Sequence, residues 1–599
     1  MFLTPAVDRH ASLPLLEGSL TFIALAAAFC WPRLASGPFS KIERLFSRLA
    51  RRQGLAVFAT GLTALLLRLA ILPLCPIPIP FVPDDFSFLL SSDTFAHGRL
   101  TNPTPAMWMH FETIHVSMNP TYMSMYFPSN GLVLALGKAL FGQPWYGLLL
   151  VSALMCAALC WMLQAWLPPT WALLGGAIAI VHLSLFSYWI NSYHSAGLIA
   201  ALGGALVLGA LPRLTKRKTL RHIDGILMAA GIALLLTTRP FDGLLLCLPV
   251  AFVLGRWALF GKNRPAPAVL LRQAALPLVL VLAAGSWLAY YDYRAFGSPT
   301  TLPYTVNRQT YAMAPYFVWQ KARPEPVYRH AVLRKFYYEG ELDALKQYKT
   351  PVRAIADTLK KFTVGTLFFS GFAFLPLVFA LGLVVRDRRT RFVVLCVAIL
   401  IAGLGIQYFL IPHYMAVFTA AFLAIALQAM RHLRQWKPEG KPVGMTLVRL
   451  MVAVCLVMAG VRTFAAPLHM EQPQWPASKW NCSWFGPAQF GNQRAQLAAS
   501  LEKLSGKQLV IVRYSASHNP FDEWVYNSAD IDGSKVIWAR DMDPEHNSEL
   551  LNYYKDRHIW LVEPDVDPTV VTSYSVPGAQ LAATKQDRPT QIDPARRAQ

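Results

Sequence analysis

The chain has 599 residues, of which 54% are hydrophobic and 15% charged, and its mean hydropathy is +0.36. Apolar runs spread along most of the length, many approaching the ~20 residues that cross a ~30 Å hydrocarbon layer, exclude a single soluble enzyme, a coiled coil, a disordered chain and a collagen-like one, and identify a polytopic membrane protein. The formal charge of +22 sits in short loops between the apolar runs, so it reports membrane topology and not nucleic-acid binding.

Taken in chain order, twelve spans are predicted, at 14–32, 54–74, 145–166, 171–189, 193–211, 224–238, 243–260, 269–289, 362–385, 391–411, 413–430 and 445–465. The first lacks a basic segment before it and a small-residue cleavage site, so it is expected to be a retained helix. Lys and Arg cluster from Arg33 to Arg52, Arg213 to Arg221, Arg256 to Arg272, Arg386 to Arg391 and Arg431 to Lys441. All five clusters lie in alternate connections, which the positive-inside rule assigns to the cytoplasm. The N-terminus, the connections 75–144, 190–192, 239–242, 290–361 and 412, and the tail from 466 then lie outside. The apolar stretch Asn130 to Phe141 is too short to cross and is expected to be interfacial or re-entrant. Thr301 to Tyr338, rich in Tyr and Pro, is expected to lie along the membrane interface.

The tail has a different pattern. Gln493 to Leu504 predicts an amphipathic helix stopped by Gly506. Gln508 to Arg513, Lys535 to Ala539 and His558 to Val562 predict strands, and Ser548 to Lys555 a second helix, which together suggest a small α/β domain. Four regions follow: 1–53, a first helix with a basic cytoplasmic loop; 54–465, the membrane domain; 466–576, an extracytoplasmic α/β domain; and 577–599, a disordered tail. Of the cysteines, Cys75 and Cys482 alone fall outside the spans. Two separate thiols are expected; a bridge between them is the alternative, and it would clamp the tail over the 75–144 connection.

Chemistry is expected at the outer face. Asp84 and Asp85 follow Pro83 just beyond an outward-going helix, where adjacent carboxylates repel and are costly to desolvate. They cap a helix, or they supply a general base or a metal ligand. The same connection carries Glu112 and His115, and the next outer one carries Tyr193 and His194, four residues taken as substrate-binding candidates. A guanidinium at the outer surface either snorkels to headgroups or grips a phosphate bidentately, and Arg239 and Arg308 are placed to do so. His413 is a further candidate, with interfacial packing as the alternative. Arg68, inside the second span, must face the bundle interior or a wet cleft, in a structural ion pair or on a lipid phosphate.

The order of these features carries a resemblance. An acidic pair after an early helix, an outer helix ending near Gly98, Tyr126-Phe127-Pro128, a short apolar segment and then Phe141-Gly142-Gln143-Pro144-Trp145 resembles the polytopic GT-C glycosyltransferases that use polyprenyl-phosphate sugars, in particular the protein mannosyltransferase and aminoarabinose transferase superfamily (glycosyltransferase family 39-like). The likeness runs from residue 54 to about residue 430. It implies that Asp84, at the position of the first acid of an Asp-Glu pair, is the catalytic base. Asp85 departs from the Glu of that pair, and Tyr126-Phe127-Pro128 departs from the Tyr-Pro-Pro of many relatives.

The expected architecture is therefore an all-α polytopic membrane bundle, GT-C-like, with a small C-terminal α/β extracytoplasmic domain. The expected activity is inverting transfer of a hexosyl or pentosyl group from a polyprenyl-phosphate donor to a glycan, lipid or protein acceptor outside the inner membrane. Asp84 would deprotonate the acceptor, Asp85 would be its neighbour or a weak metal ligand, and Arg239 with Arg308, His413 or Arg68 would neutralise the departing phosphate. No cofactor is required, and a divalent cation is an open option. The rival readings are a transporter or flippase of lipid-linked saccharides, and an inactive GT-C-like scaffold. Paired inverted halves, which a transporter of this size commonly shows, are not evident.

Overall fold

In hydrocarbon every backbone N–H and C=O must be satisfied within the chain, so the Leu-, Ala- and Val-rich runs close into helices. The computed structural model describes residues 12–217, 219–261, 264–341, 345, 350–409, 411–465, 467–468, 491–566 and 569–574. Among them, eight helices are long and apolar enough to cross a membrane: Leu13–Cys30, Gln53–Ala70, Trp145–Trp166, Ala196–Lys216, Pro240–Phe260, Pro267–Phe296, Pro412–Arg434 and Val443–Thr463. Three predicted spans are shorter apolar helices, Pro169–Leu185, His222–Leu236 and Arg391–Gly405. The protein is a mostly helical, multi-pass membrane bundle.

The prediction of twelve straight spans needs two corrections. The span expected at 362–385 is two helices, Pro351–Ser370 and Leu375–Arg386, bent by 113°. Gly371 sits between them at φ +60°, a conformation that favours glycine, and a Cβ there would meet Glu17 Oε1 at 2.6 Å. Glu17 from the first helix accepts the N–H of Ala373 (3.2 Å) and pairs with Arg462 (2.8 Å), so the break in apolar surroundings is satisfied by a buried ion pair. The connection expected at 190–192 runs instead from Phe186 to Ser195. A π-helical turn, Ile180–Leu185, precedes it. Ser187 donates to Leu183 O (2.5 Å), Asn191 to Leu185 O (2.9 Å) and Ser192 to Tyr188 O (2.7 Å), side-chain bonds that compete with the helical ladder.

The two ends of the bundle differ. At one end Glu43 accepts from Arg434 and Arg449, Asp387 lies 3.3 Å from His432, and Arg217 pairs with Asp224. The basic stretch expected as a loop after the first helix is itself a helix, Ser36–Arg51, docked here. At the other end lie Asp84, His194, Arg239 and His413. The helix Pro412–Arg434 runs from His413 to Arg434, about 30 Å at ~1.5 Å per residue, so the two sets occupy opposite ends. Close approach sets this end: Gly204 abuts the carbonyl of Val417, where a Cβ would collide, so the Pro412–Phe418 turn presses onto the Ala196–Lys216 helix.

Over the Asp84 end lies a second layer. The helix Pro83–Ala96 leads to a hairpin of β1 (Val116–Ser117) and β2 (Met123–Ser124). The short apolar helix Pro128–Phe141 packs on it through Gly131 and Ser91, and leaves Leu132, Leu136 and Leu140 exposed, as an interfacial helix does. The tail forms the expected α/β domain, with strands β3 (Lys507–Val512), β4 (Val536–Arg540), β5 (Arg557–Glu563) and β6 (Val570–Ser573) in the order β4-β3-β5-β6. The first three pair parallel and β6, which the hydropathy pattern does not mark, pairs antiparallel. Helix Asn492–Leu501 matches expectation; the second begins earlier, at Pro544, because Asp543 accepts from the N–H groups of Glu545 and His546 (3.1 and 3.0 Å).

Strand alternation gives the sheet two faces. Val510, Val512, Trp538 and Val562 pack with Leu501 and Trp524. Leu509, Ile511, Ile537 and Ala539 share a core with Phe86, Leu90, Phe111 and Tyr122 of the outer connection. The tail is thus built onto the 75–144 layer, by a common apolar core and by Tyr526 stacked on Phe86 at 4.3 Å. Cys482 and the stretch 577–599 lie outside the described residues, so the Cys75–Cys482 pairing and the tail's end are not addressed by this architecture.

Candidate active site

Pro83 and the two acids open a helix, which places Asp84 and Asp85 in its first turn but pointing to different surroundings. Asp85 is fully buried; it accepts the N–H of Tyr193 (3.0 Å) and of Phe81 (3.3 Å) and so ties this helix to the 186–195 connection. Asp84 keeps 14% of its side chain accessible, and its Oδ1 accepts a hydrogen bond from the hydroxyl of Tyr126 and lies 3.3 Å from Nδ1 of His115. Burial, and then the negative charge of Asp84, push the Tyr126 phenol well above the ordinary tyrosine range, so it stays protonated and donates.

His115 is held in the left-handed region, φ +62°, which non-glycine residues rarely adopt. Three bonds fix it there: its N–H donates to Tyr337 (2.9 Å), and its carbonyl accepts from Ser87 Oγ (2.6 Å) and from the N–H of Met125 (3.1 Å). Its Nδ1 lies 3.1 Å from the Tyr126 hydroxyl, completing a cluster of Asp84, Tyr126 and His115.

The three predicted arginines separate clearly. Arg68 is fully buried, donates to the carbonyls of Cys75 (2.9 Å) and Pro76 (3.4 Å) and to Asn191 Oδ1 (3.0 Å), and lies over Trp145 at 4.7 Å. It is a brace between the second span and the 186–195 connection, made through neutral acceptors in place of the structural ion pair that is one of its two expected roles. Arg308 gives both terminal nitrogens to Glu341 (2.5 and 2.9 Å), so its charge is already met. Arg239 gives its Nε to Asp242 (2.6 Å) and lays its guanidinium 4.1 Å over the Tyr414 ring. Among the described residues no acceptor is bonded to its two terminal nitrogens. Burial works to lower its pKa, and Asp242 together with the phenols of Tyr414, Tyr304 and Tyr316 more than offsets this, keeping Arg239 charged.

Tyrosines connect the two charges. Tyr126 lies 5.6 Å from Tyr304, Tyr304 5.7 Å from Tyr316, and the Tyr316 hydroxyl 3.1 Å from that of Tyr414, on which Arg239 rests. Both Asp84 and Arg239 act electrostatically on Tyr414 and on Tyr188. Within the Thr301–Tyr338 segment, helix Pro303–Tyr311 and its following turn bring Tyr304 and Tyr316 into this array, while Trp319 and Val327 stay exposed. His413 sits beside this array, bonded to the Tyr188 hydroxyl (2.9 Å), with the ring of His194 4.0 Å away and that of Phe88 beyond it. Tyr193 contributes its backbone to Asp85 and lies behind the site.

Glu112 belongs elsewhere. It is buried, accepts from Tyr311 (3.0 Å) and Arg329 (3.3 Å), and its carbonyl accepts from Arg540 (2.6 Å), so it serves the seam with the outer domain. Burial raises its pKa despite the nearby arginines. In the same seam His330 donates to Met109 O (2.7 Å), and burial and then the charge of Arg540 depress its pKa from 6.5 to about 3. Between those two values the unfolded chain binds a proton that the folded one excludes, so this contribution to stability is lost as pH falls below about 6.5. On acidification from about pH 7 to about pH 5, the thermal midpoint of the outer domain, followed by tryptophan fluorescence, is expected to fall further in the parent than in His330→Gln. Equal falls in both would remove His330 from this role.

No group of three His, Cys, Asp or Glu residues able to hold a metal occurs among the described residues. Asp85 is turned to backbone amides and His115 is the ligand-type side chain beside Asp84, so no step is assigned to a cation. Sequence reasoning did not assign Tyr126, Tyr304, Tyr316, Tyr414 or Asp242 to the site. The Arg239-to-Asp242 spacing across a helix start was a readable signal; the tyrosine contacts, between residues distant in sequence, were not.

The side chains define a membrane protein with a carboxylate and an available guanidinium at one surface, joined by phenols. No protein-family model and no curated protein matches the chain. Among solved structures it is similar to ArnT from Cupriavidus metallidurans, at 13% identity over 84% of this chain and 93% of that one, with a TM-score of 0.46. The same protein bound to undecaprenyl phosphate gives 12%, 84%, 92% and 0.46. The oligosaccharyltransferase of Archaeoglobus fulgidus, in complex with Zn and sulfate, gives 11%, 85%, 67% and 0.43.

Proposed function

We propose that the protein is an integral membrane glycosyltransferase that moves a sugar from a polyprenyl-phosphate donor to an acceptor hydroxyl. The observation that supports the reading is that Asp84 and Arg239 stand at the two ends of the Tyr126, Tyr304, Tyr316 and Tyr414 array, Arg239 being the predicted guanidinium whose terminal nitrogens have no bonded acceptor among the described residues. The acceptor oxygen attacks the anomeric carbon while its proton passes to Asp84, the bond from that carbon to the phosphate oxygen breaks, and the phosphate leaves toward Arg239. A single displacement of this kind inverts the anomeric centre. Tyr126 and His115 orient the carboxylate, and Tyr414 supports the guanidinium.

In this reading the site and the α/β domain face the extracytoplasmic side of a bacterial-type inner membrane. Ser92, a natural reporter position by sequence, is buried; Thr300 and Ser548 are exposed, as is Arg264 in a basic connection. In a background lacking Cys30, Cys75 and Cys482, cysteines at Thr300 and Ser548 are expected to react with an impermeant thiol reagent in intact spheroplasts, and one at Arg264 only after lysis. The reverse pattern would put the site on the wrong leaflet. The function itself is tested by mass spectrometry of lipid-linked and acceptor-linked glycans from cells carrying the parent or Asp84→Asn. A glycan lost in the variant, with its polyprenyl-linked sugar accumulating, supports transfer; identical profiles reject it.

A further inference from the structure

At the basic end, away from Asp84, the bundle holds a groove of about 570 Å³ between the helix starting at Pro169 and the ends of the last two spans. Arg431, Arg434 and Lys437 line it together with Trp171, Pro442 and Met445. An adjoining groove shares Pro442 and adds Trp31, Arg33 and Lys441.

The cations here are positioned but not neutralised. Glu43 is divided between Arg434 (2.9 and 3.0 Å) and Arg449 (2.9 Å). Arg431 is bonded to a neutral group, Gln428 Oε1 (2.7 Å), and feels the like charge of Arg389 more than the opposite charge of Asp387. Asp387 accepts from Gln428 (2.6 Å) and lies beside His432. Lys437 has no carboxylate partner among the described residues. Around the groove Arg389, Arg431, Arg434, Lys437 and Arg449 therefore meet Glu43 and Asp387, and positive charge is in excess. Single basic residues at a membrane surface snorkel independently; here Glu43 and Gln428 fix two guanidiniums around one cavity. Trp171 and Met445 supply an apolar wall, as the boundary between headgroups and acyl chains requires.

We propose that this groove binds the headgroup phosphate of an anionic phospholipid from the leaflet at the basic end, with Arg431 and Lys437 on the phosphate and the first acyl carbons against Trp171 and Met445. The shared chemistry is a phosphate monoanion or diester, which a soluble phosphate also offers; the apolar wall and the position at the end of two spans favour the lipid.

The test uses the full chain in neutral detergent, titrated with dioctanoyl phosphatidylglycerol, dioctanoyl phosphatidylcholine or inorganic phosphate and followed by native mass spectrometry. Phosphatidylglycerol is expected to bind, and Arg431→Gln with Lys437→Gln to weaken it about 30-fold, from roughly 1 kcal/mol per cation. Arg434 is left in place because it anchors Glu43. Arg264→Gln, in another basic connection, is expected to change nothing. Equal binding of phosphatidylcholine, equal competition by inorganic phosphate, or undiminished phosphatidylglycerol binding in a double variant with the parent's thermal midpoint would each overturn the proposal. Should the double variant unfold, Lys437→Gln alone, at an exposed position, is expected to show at least a several-fold loss, and its absence decides against the site.

Discussion

Replacing Asp84 by asparagine is expected to lower sugar transfer by about 10²–10⁴-fold, the contribution of a positioned general base, while the protein still purifies with its normal thermal midpoint. Asn keeps an oxygen to accept from Tyr126, and Asp84 is partly accessible, so little folding energy is at stake. Asp85→Asn is expected to do the opposite. Its carboxylate is fully enclosed and accepts the backbone N–H groups of Tyr193 and Phe81. Turning one acceptor into an amide N–H donor there leaves a buried donor unmet, about 1–3 kcal/mol, which appears as a lower thermal midpoint. Single-turnover rates and detergent melting curves, measured on both variants, separate the two acids. Unchanged turnover in Asp84→Asn would remove it as the base.

Arg239 requires a paired experiment, because the arginine has a structural partner as well as a proposed ligand. Arg239→Gln alone strands Asp242, 5% exposed, without its counter-charge; uncompensated buried charges of this kind are destabilising by about 3 kcal/mol or more. Arg239→Gln with Asp242→Asn removes both charges and is expected to recover most of that stability. Transfer should nevertheless stay down by about 10–150-fold, the value of a charged hydrogen bond of roughly 1.5–3 kcal/mol to the phosphate. Because negative charge grows on the departing phosphate, the loss should fall on kcat as well as on the donor KM. Arg308→Gln with Glu341→Gln, a pair closed on itself, serves as the comparison and should leave transfer near the parent. If the Arg239 pair transfers as fast as that comparison, another group holds the phosphate.

Much of the architecture is written locally. Apolar segments, alternate basic clusters and the strand pattern of the tail follow from hydropathy, charge and period over windows of about 20 residues or fewer, and the segments predicted at 54–74, 145–166 and Gln508 to Arg513 stand within a few residues of the observed Gln53–Ala70, Trp145–Trp166 and Lys507–Val512. The position of Asp84 at a helix start was legible for the same reason. What local pattern does not contain is which groups from distant segments meet. Arg68, Arg239 and Arg308 are alike as sequence, and only packing assigns the first to carbonyls and Asn191, the third to Glu341, and leaves the second with open donors beside Tyr414. The two neighbouring acids part in the same way, one to the amide of Tyr193 and the other to Tyr126 and His115. The break at Gly371 depends on Glu17, more than 300 residues earlier, filling the space a side chain would take. Sequence alone determined which segments are apolar enough to close into membrane helices and that candidate polar groups flank them, because hydration and the backbone's need for hydrogen bonds act residue by residue. Tertiary structure decided which charges are neutralised and which remain available, because ion pairing depends on distances between atoms that the chain brings together only on folding.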